Sequence, residues 1–328
     1  MYFLTQRGYF REGREWLEQV LTLPEAAATA DRAAVLRCIA KLEYRRSNFD
    51  AALPLLEESL SLCRALEDEN GVAECLNGLG NDANARGNFA DAQRYYEESL
   101  LYYRKHGHDA GIAQLLLNLS VTSCEQGDWE IAARYSLESS PFYSRHLEKT
   151  KPTNKPGYVE PLPIAQRARI AYYQGDFERA KALFDETLYY WRLGNNRAFI
   201  HMALIELTKV SSWLGDPGTA RLNLAEAITE RREMGIEVGS YGPLSAAAIL
   251  SFAEGRLELA ACLLGVIDAV IGKEAPLKPV ERSELDALTS EVREALGEAA
   301  FVIAAGEGLS ANPEDLLTRA VHGGDAAV

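Results

Sequence analysis

Gly87-Asn88-Phe89-Ala90-Asp91-Ala92-Gln93-Arg94-Tyr95-Tyr96-Glu97-Glu98-Ser99-Leu100 is the phrase on which the chain is built. It returns as Ser47-Asn48-Phe49 with Ala52, Gly127-Asp128-Trp129 with Ala132, and Gly175-Asp176-Phe177 with Ala180. Degenerate copies follow at Gly215-Asp216-Pro217 with Ala220 and Gly255-Arg256-Leu257 with Ala260. Successive copies lie 40, 40, 48, 40 and 40 residues apart, and a fixed period of this size marks a repeat array. Apolar residues on both sides of each turn recur at steps of three and four, as in Leu76, Leu79, Ala83 and then Phe89, Ala92, Tyr96. That is the helical period, and the Gly-Asn or Gly-Asp pair supplies a tight turn with a helix cap. Each repeat therefore reads as two antiparallel helices.

Two further positions repeat. Five residues after the turn every copy has alanine, and seven before it every copy is small: Ala40, Gly80, Ser120, Ala168, Thr208 and Ala248. Small side chains on facing helices let two backbones approach closely, with the aromatic after the turn filling the wedge beside them.

At 328 residues the chain exceeds one ordinary compact core, which suits an elongated array. Its net charge of −14 repels phosphate backbones and argues against direct nucleic-acid binding. No apolar run approaches the ~20 residues that a membrane helix requires, and Met1 to Arg7 is too short for a signal peptide. Five cysteines, Cys38, Cys63, Cys75, Cys124 and Cys262, are dispersed without a CxxC pair and read as small buried hydrophobes in a reducing cytoplasm.

The small residue before the turn, the Gly-Asp/Asn-aromatic turn and the alanine after it resemble the tetratricopeptide repeat, whose units usually run about 34 residues. The longer period here implies helices about one turn longer, as in the sensor arrays of large bacterial signalling ATPases. Gly8-Tyr9-Phe10-Arg11-Glu12-Gly13-Arg14-Glu15-Trp16-Leu17 resembles the opening hairpin of the array in LuxR- and AfsR-like (MalT-type) regulators, with Gly8 as its turn and Gly13 in the small slot. The residues before Gly8 are too few for the preceding helix, so a partner helix has been cut away or is supplied by another chain. Such an open end offers a surface for self-association. Leu263-Leu264-Gly265 and Leu296-Gly297-Glu298-Ala299-Ala300-Phe301 are similar to the closing segment of the same regulators.

The expected architecture is thus all-α, a right-handed superhelix of antiparallel helix pairs over residues 1–271 with a C-terminal helical cap over 272–328. Pro276 and Pro279 end the rhythm, a helix runs from about Val280 to Leu296, Asn312-Pro313 opens a last short helix, and Gly323-Gly324 and beyond fray. Four prolines between Glu148 and Pro163 predict an extended surface loop, either a tolerated insertion or a contact loop.

The sequence holds no phosphate-binding Gly-x-x-x-x-Gly-Lys-Ser/Thr loop, no His-Glu-x-x-His and no Gly-x-Ser-x-Gly, so neither an enzyme nor a cofactor is expected. The DNA-reading helix-turn-helix that often follows such a tail in LuxR-type regulators is not expected within this sequence. His106, His108 and Asp109 adjoin at a turn between repeats, where a solvated turn is the ordinary reading and a metal site the sharper one. Glu57-Glu58 and Glu97-Glu98 diverge on their helices and read as a wet outer face.

In stacked hairpins the first helix of each pair lines the concave side. The residue six before each turn should face it: Lys41, Asn81, Val121, Arg169, Lys209 and Ile249. Arg37, Lys41 and Arg45 share a helical face, as do Asn77, Asn81 and Asn84. Tyr44, Tyr172, Tyr173 and Trp213 complete the candidate groove. Arginine, lysine and asparagine hold carboxylates, and aromatic rings cover apolar parts of a ligand. Leu117, Val121 and Cys124 make the middle of the groove apolar, which confines an anion site to the first half. The partner so implied is a protein or an acidic, carboxylate-bearing peptide. The alternative is that these cations pair with carboxylates of neighbouring repeats. The resemblance implies a non-catalytic sensor in a signalling or transcription-regulatory system; a free-standing scaffold without signal input is the other reading.

Overall fold

The repeat begins with the turn. Gly87 and Gly127 hold φ of +78° and +81°, a left-handed conformation that a side chain resists. The amide of the next residue then reaches back five places, Asn88 to the carbonyl of Ala83 at 2.8 Å and Asp128 to that of Ser123 at 2.9 Å, which ends one helix and aims the next antiparallel. The computed structural model describes residues 10–22, 29–46, 48–150, 161–235, 241–271 and 277–322. Among them every regular element is a helix.

The chain divides into two compact units, Met1–Pro152 and Thr153–Val328. In the first, α1 (Phe10–Leu21) precedes three hairpins: α2 (Ala30–Arg45) with α3 (Phe49–Ala65), α4 (Glu69–Ala85) with α5 (Phe89–Lys105), and α6 (Asp109–Glu125) with α7 (Trp129–Thr150). In the second, α8 (Leu162–Tyr173) pairs with α9 (Phe177–Leu193), α10 (Arg197–Trp213) with α11 (Pro217–Glu233), and α12 (Tyr241–Ala253) with α13 (Leu257–Ile271). The tail forms α14 (Pro279–Leu296), α15 (Glu298–Gly308) and α16 (Pro313–His322). The change of rhythm expected after Ile271 falls inside the second unit, because α13 and the tail helices share one core. Leu263, Ile267, Leu285, Val292, Phe301 and Leu317 belong to it.

The packing niches repeat as the spacing requires. Ala52, Ala92, Ala132, Ala180, Ala220 and Ala260 are all fully buried, and so are Ser120, Ala168, Thr208 and Ala248. At Gly80 a methyl group would lie 2.5 Å from the Tyr96 ring, so the small residue is what admits the aromatic of the facing helix. A serine two turns beyond Ala52 and Ala92 makes the same bond in each: Ser59 donates to the carbonyl of Ala33 at 2.8 Å and Ser99 to that of Ala73 at 2.7 Å. On the outer face, Arg64–Glu98, Arg104–Glu138 and Arg192–Glu226 make ion pairs at the same 34-residue offset. Exposed pairs of this kind add little stability.

Two expectations need correction, and one stretch that the spacing assigned to no element, after Gly297, gains one. The helix before the proline-rich stretch continues to Thr150, past the predicted loop start at Glu148, and α8 begins at Leu162 after Pro161, so residues 151–161 remain of that loop, of which 151–160 lie outside the described residues. Asn48 and Asn88 make no side-chain capping bond, whereas Asp176 and Asp216 accept from Arg179 and Thr219. The segment after Gly297 is a helix, α15, with Gly297 at φ +85° as the corner between it and α14. The expected first turn at Gly8, the surroundings of Gly13, Ser47 and the Gly323-Gly324 tail lie outside the described residues.

Candidate functional site

The first unit opens a cavity of about 600 Å³ along α2, α4 and α6. Helical spacing brings Arg37, Lys41, Tyr44 and Arg45 to it from α2 and Asn77 and Asn81 from α4, so six of the predicted groove residues share one site. Asn84, the seventh, turns aside and accepts a hydrogen bond from Thr122 at 3.0 Å.

The cations of α2 differ. Arg37 is half-buried and committed: its Nε meets Glu74 at 2.9 Å, and its Nη1 donates to Cys63 Sγ at 3.2 Å. Burial opposes its charge, but Glu74 more than compensates and holds the guanidinium above its usual range. Glu74 lies in the cavity wall, so the basic strip expected from Arg37, Lys41 and Arg45 is in part neutralised by its own neighbour. Lys41 and Arg45 are exposed and engage no carboxylate among the described residues. They are the free charges of the site.

The amides are oriented by a network. Gln114 donates to Asn118 Oδ1 at 2.9 Å, and Asn118 Nδ2 donates in turn to the side-chain oxygens of Asn77 at 3.1 Å and Asn81 at 3.3 Å. The buried Tyr96 hydroxyl also donates to Asn81 Oδ1, at 2.8 Å. With both oxygens occupied, the amino groups of Asn77 and Asn81 are left to donate. The cavity therefore offers N–H donors and two cations over a floor of Ala34, Cys38, Leu56 and Gly78. Such a surface recognises carboxylates and peptide carbonyls.

Gln114 and Asn118 escaped the sequence reading, which treated the third hairpin as apolar. The signal was present: Asn118 interrupts the run Leu115-Leu116-Leu117-Asn118-Leu119. Leu117 and Cys124 are buried and Val121 is half-buried, and none of the three lines this cavity.

The remaining predicted groove residues meet a different fate. Lys209 is 3 % exposed and Tyr172 6 %, and neither faces an open groove. Helix α14 of the same unit lies on them. Its Glu284 carboxylate accepts from Tyr172 Oη at 2.5 Å, Lys209 Nζ at 2.9 Å and Tyr241 Oη at 3.1 Å, while Trp213 Nε1 donates to Tyr172 at 3.1 Å. Burial resists the charge on Glu284, but Lys209 and the hydrogen bonds outweigh it and hold the carboxyl below its usual range. Burial likewise opposes the ammonium, and Glu284 with Glu206 raises Lys209 well above the ordinary lysine value. Tyr173 is half-buried, with the Arg169 guanidinium 6.0 Å from the centre of its ring. Ile249, next in register, is fully buried under the same tail. The physical reason is sequence distance: a residue 75 positions away supplies the counter-charge of Lys209.

At the turn between the second and third hairpins, His108 Nδ1 accepts from the Gly111 amide at 2.9 Å as a helix cap, and His106 sits 2.6 Å from Glu69. Among the described residues no group of three histidine, cysteine or carboxylate side chains is placed to hold a metal. Nor is any described helix long and apolar enough to cross a membrane.

No curated protein matches the chain. A Rap protein complexed with Competence and Sporulation Factor has a similar solved structure, with a TM-score of 0.66 at 13% identity over 94% of this chain and 80% of that one. A tetratricopeptide repeat protein from Parabacteroides merdae aligns at 0.54 and 13%, covering 88% and 95%. The Rap conjugation gene regulator of plasmid pLS20, in complex with the Phr* peptide, aligns at 0.53 and 13%, covering 84% and 81%. Residues 31–105 match the tetratricopeptide repeat family model. The chain carries the tetratricopeptide-repeat fold, with its sequence matching that family over the first two complete hairpins.

Proposed function

We propose that this protein is a non-catalytic module that binds a protein or peptide through the cavity of its first unit, and that the ligand presents a carboxylate. The observation that carries this reading is the pairing of two uncommitted cations, Lys41 and Arg45, with two asparagines whose oxygens are already bonded and whose amino groups are not. A cation and an amide donor together fix a carboxylate or a peptide carbonyl in one orientation. Two of the similar structures are complexes, one with the Competence and Sporulation Factor and one with the Phr* peptide, which supports a ligand-binding use of the fold. The regulatory setting, a sensor arm of a bacterial signalling or transcription-regulatory system working in the cytoplasm, rests on the resemblance of the opening hairpin and the tail to LuxR- and AfsR-like regulators. Five cysteines without a disulfide suit a reducing compartment.

The test is a screen of acidic peptides against the wild-type chain and the double variant Lys41→Glu, Asn81→Ala. Loss of one charge-assisted and one neutral hydrogen bond should weaken binding by roughly tenfold or more. Unchanged binding would remove this site from consideration.

A further inference from the structure

The two units present the same trough, once filled and once open. Arg169 and Lys41 each stand six residues before their turn, Tyr172 and Tyr44 three before it, and Lys209 and Asn81 six before the next one. Each trough is thus edged by a cation and a tyrosine from one helix and an N–H donor from the following hairpin. In the second unit a side chain of α14 enters it. A single carboxylate, Glu284, touches α8, α10 and α12 through Tyr172, Lys209 and Tyr241, while Leu285, Leu288 and Val292 of the same helix are buried in the core beside it. In the first unit nothing described occupies the equivalent place: Tyr44 is 36 % exposed and Lys41 is exposed.

We infer that the first unit's trough is shaped to dock an amphipathic helix carrying a glutamate or aspartate, its carboxylate placed as that of Glu284 is placed in the second unit. The inference rests on the proposed function above and specifies the form of its ligand. Charge complementarity favours such an occupant, since Lys41 and Arg45 are uncommitted and Asn81, in register with Lys209, lines the cavity with its oxygen already bonded. Size agrees as well. Three helices packed about 8–10 Å apart present a strip ~20 Å across, which a helix of four turns, about 22 Å, would cross. The filled trough shows that the repeat can bury a charged helix without leaving its carboxylate unpaired. Ala34, Cys38, Leu56 and Gly78 give the open trough partly apolar walls for the helix's apolar residues, the part played for Leu285 and Leu288 by the core that α12, α13 and the tail helices share.

The probe is a fluorescent peptide spanning Leu277–Leu296, titrated into the full chain and followed by anisotropy, with a photo-crosslinker at position 285. Saturable binding is expected, with crosslinks to α2 and α4. Within the peptide, Leu288→Pro should bind at least tenfold more weakly than Leu288→Ala, which loses the same side chain but keeps the helix. Glu284→Gln in the peptide and Tyr44→Ala in the protein should each weaken binding several-fold. Crosslinks confined to the second unit, to α12, α13 or the tail helices above all, would show only exchange with the resident helix and overturn the inference, as would absence of saturable binding. Equal binding of the proline and alanine peptides would also overturn it, while leaving an extended acidic ligand and the proposed function intact. Failure of every acidic peptide, helical or not, would instead defeat the proposed function itself.

Discussion

Removing the cation from the buried carboxylate site of the second unit should be among the most damaging single changes in this protein. In Lys209→Met the methionine fills nearly the same volume, but Glu284, whose side chain is 10% exposed, loses its counter-charge. Stripping one partner from a buried ion pair generally destabilises by about 3–5 kcal/mol. Two tyrosine hydroxyls still donate to Glu284, which places the expected loss near the lower bound, about 3 kcal/mol. The second variant, Lys209→Met with Glu284→Gln, removes the charge and keeps an oxygen for Tyr172 and Tyr241, so it should recover at least half of that loss. Urea unfolding followed by tryptophan fluorescence reads both, because Trp213 donates to Tyr172 within the network. The same pair sets a pH dependence. Glu284 titrates lower in the folded chain than in the unfolded one, so its stabilisation is complete above the unfolded value of ~4.3 and is lost as pH falls through the lower folded value. Lys209 is shifted up, so its share is complete below ~10.4 and fades only as pH rises through the higher folded value. At neutral pH both shares are present. A single variant within 1 kcal/mol of wild type, or a double variant no better than the single, would refute the account of α14 as held by a charged contact.

Two further outcomes follow from packing. Gly80→Ala should destabilise by about 1–3 kcal/mol although alanine is the better helix former, because the new methyl meets a Tyr96 ring that is 2 % exposed and hydrogen-bonded to Asn81. Gly306→Ala in α15, where a methyl meets nothing within 4 Å, should raise stability by up to ~1 kcal/mol, and parallel denaturant titrations of the two variants check both signs. Thiol labelling at pH 8 should modify Cys38 rapidly and the other four cysteines only on unfolding, since those four are buried and burial pushes the Cys75 thiol up to about 11. Rapid labelling of more than one thiol in the native chain would contradict the described core.

The 40-residue stride was enough to place the helices, because three constraints recur together at fixed distances from each turn. A left-handed residue must end one helix, alanine must follow, and a small residue must precede, as Gly127, Ala132 and Ser120 do. Local geometry and close backbone approach act over a few residues, so they leave a periodic trace in the chain. A second turn with the same stride was less legible: Glu67 and Asn195, at φ +56° and +52°, hold the positions that Gly107 and Gly235 hold elsewhere, and glutamate gives no signal of a left-handed conformation.

The groove shows where that local reasoning ended. Helical register alone gathered Arg37, Lys41, Tyr44, Arg45, Asn77 and Asn81 to one cavity. It could not tell that Glu74 neutralises Arg37 or that Asn118 turns two asparagines donor-side out. Nor could it tell that α14 would cover Lys209 and Tyr172, since the sequence marks the trough equally in both units. Periodicity fixed which residues share a face. Whether that face is open depends on contacts between elements far apart in the chain, and those are decided only when burial and charge are settled in three dimensions.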